Sequence, residues 1–419
     1  MVFKFGAYSS LLLPAVVTGI VATGWLLLRA LRRATLTDAL LAVLLAVPTL
    51  SIAQQMLAYA GWFDSHDGYT MALFYVPWQL NLLLGPAYYL YFRSLTSQEF
   101  RLFPRAWRHL LPGLVQGGLI VGALGYDLLW LPAVSGQHPP VPAGTKGPAL
   151  AVAEAIAHYL GYAQYVLLPA YCWRVLADYR RYTRYLQDNF SDTERLRFAG
   201  LRQLVLVQVL ALGLSQLFTL VNWKVGLSDA ASWNYFFLRG FLVYWLVAVG
   251  LQANYAAATT PLRFDGAPDS PTTPELAAEL NPDPVADAPA IQASPEVGLP
   301  AAALAPELLV WRDKLLALMA EEQPWLEPEL TLTEVAKRLH TTPGLVSKVI
   351  NTGCGQNFND FVNAYRVREA QRLLADPRFA HYSLVGVALE SGFNSRSTFN
   401  RVFKKVVGQA PSELTRPKS

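Results

Sequence analysis

The chain has 419 residues, 53% of them apolar and only 15% charged, with a formal net charge of +4. That length allows more than one domain, and the low charge is unusual for a soluble protein, where about 25% is ordinary. The two cysteines, Cys172 and Cys354, exclude a disulfide framework and a cysteine-based zinc site.

The apolar excess is concentrated in the N-terminal part. The first apolar run is too long for a signal-peptide core and has no small-residue cleavage site behind it, so no cleavable signal is expected. Seven segments reach the roughly 20 residues needed to cross a bilayer. They are residues 8–31, 37–60, 69–92, 110–131, 149–173, 201–223 and 233–256. The alternative, buried helices of a large soluble domain, is harder to reconcile with seven such runs in series. Arginines crowd alternate connections: Arg29, Arg32 and Arg33 after the first run, Arg93 to Arg108 after the third, Arg174 to Arg202 after the fifth. Lys and Arg mark the cytoplasmic side. The expected topology puts the N-terminus outside a bacterial cytoplasmic membrane and the C-terminus inside.

Residues 132–148 form an expected extracytoplasmic loop rich in Pro and Gly. Ionisable groups inside a bilayer are costly and therefore functional candidates. Asp127, Glu154, His158 and Arg239 fall at similar depth in this topology. They are expected to line an outward-facing pocket for an unknown small-molecule signal, with Arg239 paired to Glu154 or Asp127. A structural ion pair is the plainer reading. Glu154 and His158, four apart, supply only two of the ligands a metal site needs, so none is expected. Residues 178–197 mix both charge signs and are expected to continue helices beyond the membrane.

Residues 259–306 are dominated by Ala and Pro and carry seven acidic residues against Arg263 alone. Such a segment buries too little apolar surface to offset its ordering entropy and is expected to be a disordered tether. An amphipathic helix starts near Glu307. Residues 332–339 read as a helix, and Thr342 with Pro343 as the cap and first position of the next. A longer helix follows over residues 357–375, with Phe358, Phe361, Val362 and Tyr365 as its apolar stripe. Leu384, Val387 and Ala388 begin another, Gly392 supplies a turn, and Ser395 stands at an N-cap position. The helix after it has Phe399, Val402, Phe403 and Val406 on one face, and Arg396, Asn400, Arg401, Lys404 and Lys405 on the other. Gly408 ends it and Pro411 opens a short final helix.

The run Gly392-Phe-Asn-Ser-Arg-Ser-Thr-Phe-Asn-Arg-Val-Phe-Lys-Lys, with Gly408 and Pro411-Ser-Glu behind it, resembles the signature of the AraC family of bacterial transcription regulators. The resemblance covers roughly the last hundred residues. It implies two helix-turn-helix units joined by one long helix, with Pro343, Gly344, Ser347 and Lys348 reading bases in the first unit. In the second it implies Ser395, Arg396, Thr398 and Asn400 for bases, and Arg401, Lys404 and Lys405 for phosphates. From Thr331 onward there are thirteen Lys or Arg against six Asp or Glu, an excess suited to neutralising phosphates.

The expected fold is therefore all-α: a seven-helix transmembrane bundle over residues 1–258, the tether over 259–306, and the DNA-binding domain over 307–419. The expected function is a membrane-bound, one-component transcription regulator whose partners are promoter DNA and the lipid bilayer. A second copy of the chain and RNA polymerase are open as further partners. No catalytic motif and no cofactor signature is present. The competing reading is a transporter or receptor-like membrane protein whose C-terminal domain anchors it or docks a protein.

Overall fold

The computed structural model describes residues 3–63, 68–97, 100–135, 146–194, 196, part of 203–226, 229–252, 306–379 and 381–414. Its regular elements are helices. They cluster into two units, each with its own internal packing. One comprises Met1–Tyr179, Ala199–Tyr255 and Pro261–Phe264; the other comprises Arg180–Phe198, Ala256–Thr260 and Asp265–Ser419.

In the first unit, α1 (Ala7–Arg33) and α2 (Leu36–Tyr59) form a hairpin. Ala34 turns the chain in the left-handed region, at φ 51°. Asp38, buried in the first turn of α2, accepts from Arg29 Nε at 2.8 Å, so two of the charges near this turn neutralise each other. Gly19 makes the close approach of the two helices possible: a Cβ there would stand 2.2 Å from Thr49 Oγ1. The outer face of α1 leaves Leu11, Val17, Ile20, Val21, Leu28 and Leu31 exposed. Water tolerates such a contiguous apolar face poorly, and lipid tolerates it well.

The rest of this unit comprises α3 (Gly68–Phe74), α4 (Leu84–Thr96), α5 (Leu111–Gly125), α6 (Leu131–Ser135), α7 (Pro148–Gly161), α8 (Gln164–Asn189, up to Tyr179) and α9 (Asp229–Gln252). Trp62, Phe74, Tyr75, Ile120, Ala123, Leu150 and Ala153 form a buried cluster among them.

The described residues do not form the expected seven-span bundle. Among the described residues, three helical stretches are long and apolar enough to cross a membrane: Ala7–Arg33, Leu36–Tyr59 and Ala106–Val134. These correspond to the first, second and fourth expected spans. The third breaks, because residues 75–80, around Pro77, are not helical and separate α3 from α4. The fifth breaks at Tyr162 and Ala163, between α7 and α8. The sixth lies mostly outside the described residues. The seventh forms α9, of 24 residues, which is not among those three stretches. Apolar content alone did not reveal these breaks. An orientation counted through seven crossings loses its basis with them. The expected tether lies outside the described residues up to Pro306.

The second unit contains α10 (Pro306–Glu321), α11 (Leu332–Arg338), α12 (Pro343–Lys348), α13 (Phe358–Ala375), α14 (Leu384–Glu390), α15 (Arg396–Val407) and α16 (Pro411–Leu414). The long helix α13 serves two cores. Phe358, Phe361 and Val362 pack with α10, α11 and α12 around Leu315, Val335 and Val346. Val367, Ala370 and Leu373, further along, pack with α14 and α15 around Val387, Phe393, Phe399 and Phe403. Between the two cores stands Arg366, 1% exposed. Its Nε donates to the carbonyl of Trp325 at 2.7 Å, and Nη2 to the carbonyl of Glu327 at 2.7 Å and to Ser191 Oγ at 3.1 Å. Burial pulls this guanidinium down to about 10, against the opposing charge of Asp192, so it stays a cation at neutral pH. Replacing Arg366 with Met would leave buried carbonyls without donors and should cost about 3 kcal/mol. Hydrogen exchange along α13 in the reconstituted full chain reads this directly, and unchanged protection would show that the cation is dispensable.

Candidate nucleic-acid interface

Helices α11 to α15 of the second unit each start on a side-chain cap. Thr331 and Glu334 form a reciprocal box at α11: Glu334 N donates to Thr331 Oγ1 at 3.2 Å, and Thr331 N to Glu334 Oε2 at 2.7 Å. Thr342 caps α12, Asn357 caps α13, Ser383 caps α14 and Ser395 caps α15, where Thr398 N donates to Ser395 Oγ at 3.2 Å. Such caps supply acceptors for orphan N–H groups and fix where a helix begins, and so which side chains its first turn presents. Gly392, at φ +81°, makes the turn between α14 and α15. A Cβ at that position would stand 2.6 Å from the Trp325 carbonyl oxygen. The turn is therefore pressed onto the same short segment that Arg366 holds.

The two pairs, α11 with α12 and α14 with α15, are thus set on one long helix. In the first pair Pro343, Gly344 and Lys348 are exposed; Ser347 is half-buried and accepts from Asn351 Nδ2 at 3.3 Å. In the second, Arg396, Arg401, Lys404 and Lys405 are exposed, and Ser395 and Asn400 are half-buried. Lys405 Nζ binds Asp360 Oδ1 on α13 at 2.7 Å, an exposed pair. Thr398 departs from the expected base-reading position. It is 5% exposed, and its hydroxyl donates to Glu194 Oε2 at 2.6 Å.

Residues 335–417 match the family described as "Helix-turn-helix domain". The C-terminal unit carries a helix-turn-helix domain. It is similar to an uncharacterized HTH-type transcriptional regulator, YtdP, of Bacillus subtilis (strain 168), at 33% identity over 22% of this chain and 12% of that protein. It is also similar to the HTH-type transcriptional regulator GlxA of Rhizobium meliloti (strain 1021), at 28% identity over 24% of this chain and 31% of that protein. The chain therefore spans less than a third of either relative. No solved structure matches. These likenesses stop at the helix-turn-helix level. They do not reach the expected AraC assignment fused to seven spans, whose membrane half the three candidate helices overturn.

The four ionisable groups expected to face one pocket have separate partners. Asp127, fully buried, accepts from Tyr75 Oη at 3.1 Å and from the N–H groups of Ala149 and Leu150 at 3.0 and 2.9 Å. It holds the start of α7. Gly147, just before that helix, has no room for a Cβ, which would stand 2.1 Å from Asp127 Oδ2. Glu154 pairs with Lys146, both exposed, and His158 Nε2 lies 3.2 Å from Tyr162 Oη. Arg239 donates to Ser51 Oγ at 3.2 Å and stacks over Tyr235. Neither expected carboxylate partner of Arg239 is among its described contacts. Among the described residues there is no group of three or more His, Cys, Asp or Glu that could hold a metal.

Asp127→Ala should destabilise the protein by about 2 kcal/mol or more, because two helix N–H groups and a tyrosine lose their acceptor. Gly147→Ala should act in the same direction. Glu154→Gln should change stability by no more than about 0.5 kcal/mol, its ion pair being exposed. Thermal unfolding of the detergent-solubilised protein compares the three.

Proposed function

We propose that this chain is a membrane-held transcription regulator that binds duplex DNA sequence-specifically through two helix-turn-helix units, under control of its membrane part. One observation carries the reading. Two side-chain-capped helices, α12 and α15, present polar and basic residues to solvent from a common long helix. That helix, of 18 residues, is about 27 Å long. Two units borne on such a spacer suit successive major grooves, which recur about every 34 Å. Pro343, Gly344, Ser347 and Lys348 face DNA from the first unit, and Ser395, Arg396 and Asn400 from the second. Arg401 and Lys404 neutralise phosphates. The exposed apolar face of α1 and the three membrane-length helices support attachment to the cytoplasmic membrane, with the DNA-binding unit on the side where DNA is accessible.

The test is binding of full-length protein, in detergent or nanodiscs, to DNA recovered by genome-wide mapping. Arg396→Ala should weaken binding by about 1–3 kcal/mol and relax preference at one base pair. Lys404→Ala should weaken all sequences alike and lower the salt slope by about one. Protection confined to a single groove would sink the two-unit reading.

A further inference from the structure

The stretch that follows α8 belongs to the second unit, and it runs across the helix-turn-helix domain as a strap. Its first half is anchored by backbone and buried groups. Phe190 bridges to Thr331, and Ser191 N donates to the Leu330 carbonyl at 3.1 Å. Asn359 Nδ2 donates to the carbonyls of Phe190 and Ser191 at 3.2 and 2.6 Å, and Arg366 donates to Ser191 Oγ. Ser191 and Thr193 are buried.

The second half of the strap touches surface groups instead. Asp192 Oδ2 accepts from Asn394 Nδ2 at 3.2 Å. Glu194 places its carboxylate on the first turns of α15. Oε2 accepts from Thr398 Oγ1 at 2.6 Å and Ser397 Oγ at 3.3 Å, and Oε1 from Arg401 Nε at 3.0 Å. Burial by itself would push this carboxyl up. The hydrogen bonds from Thr398 and Arg401, the charge of Arg401 and the bond from Ser397 outweigh that, and hold it below the usual carboxylate range.

Two hydroxyls, an arginine and the positive end of a helix form a setting suited to a phosphate oxygen. Glu194 brings the same charge to the same groups. Among the described residues its side-chain partners lie on α15, and the bonds that anchor the strap are made by other residues. The anchor and the plug are therefore separable. A duplex entering at α15 would meet the Asp192 and Glu194 carboxylates before it met Thr398, and like charges would exclude it.

We infer that the 190–194 strap competes with DNA for α15: docked, it closes the second helix-turn-helix unit, and undocking of Glu194 opens it. This rests on the DNA-binding reading above and names how that same site is regulated. Because the strap continues α8 directly, a shift of the C-terminal end of α8 is a shift of the strap.

The test uses the full-length protein in nanodiscs and a fluorescent random-sequence duplex long enough for both units, alongside the mapped genomic DNA. Glu194→Gln keeps the side-chain shape and removes the charge. It should bind both duplexes more tightly, by roughly 5- to 50-fold, with hydrogen exchange along α13 unchanged. In a second variant, Glu194→Cys with Ser397→Cys, a short thiol cross-linker should lock the strap and abolish binding, while the uncross-linked protein binds. Wild-type affinity for Glu194→Gln, or full binding by the locked protein, would overturn the strap's role and leave the DNA-binding reading intact. If no form binds either duplex, both readings fall together.

Discussion

A guanidinium removed from water must find acceptors for its donors, and Arg366 finds them in two separate pieces of chain. Its hydrogen bonds reach Trp325 and Glu327 in the turn after α10, and Ser191 in the strap after α8. Leaving any of those groups buried and unpaired costs more than the bond returns, so these two pieces and α13 are held together as one arrangement. The position of Arg366 on α13, between the stripe of the first core and that of the second, makes it the point where both helix-turn-helix units are referred to a common frame. The turn at Gly392 presses on the same Trp325 segment, so the register of α15 depends on it as well.

What the interface presents follows from that frame and from the caps. A helix of twelve residues or fewer has little stability of its own, and its start is decided by which oxygen accepts its free N–H groups. Thr342 and Ser395 make that choice for α12 and α15. Once they do, Pro343 and Arg396 fall in the first turn, and the apolar faces of the helices are committed to their cores. The polar faces remain for a partner of opposite charge. At α15 the chain supplies such a group itself in Glu194.

The first unit applies the same accounting to buried carboxylates. Asp38 is neutralised by Arg29, and Asp127 is satisfied by Tyr75 and the start of α7. Both are fixed structural acceptors, which accounts for Asp127 in a region otherwise so apolar. Expecting an ionisable group in such a place to be functional is sound as a default, but it yields where local backbone donors already complete the group. Arg239 has a hydroxyl and a ring as neighbours, with neither carboxylate the sequence had suggested.

The sequence by itself determined the local features of the C-terminal unit. Ser395 and Thr342 as caps, Gly392 and Gly408 as turn residues, the stripe of α13 and the basic face of α15 all depend on interactions within a few residues, and periodicity or residue type reports those. It also placed the apolar helices near the N-terminus. Only the tertiary structure decided which apolar runs stay unbroken, because a break near Pro77 or Tyr162 depends on neighbours as much as on hydropathy. Only the tertiary structure found Arg366 and Glu194, since their partners lie 175 and 204 residues away for Ser191 and Thr398. An arginine on a helix and a glutamate in a charged loop look like surface residues in one dimension. Burial and a hydrogen-bonded partner are properties of the folded chain, and they gave these two their roles.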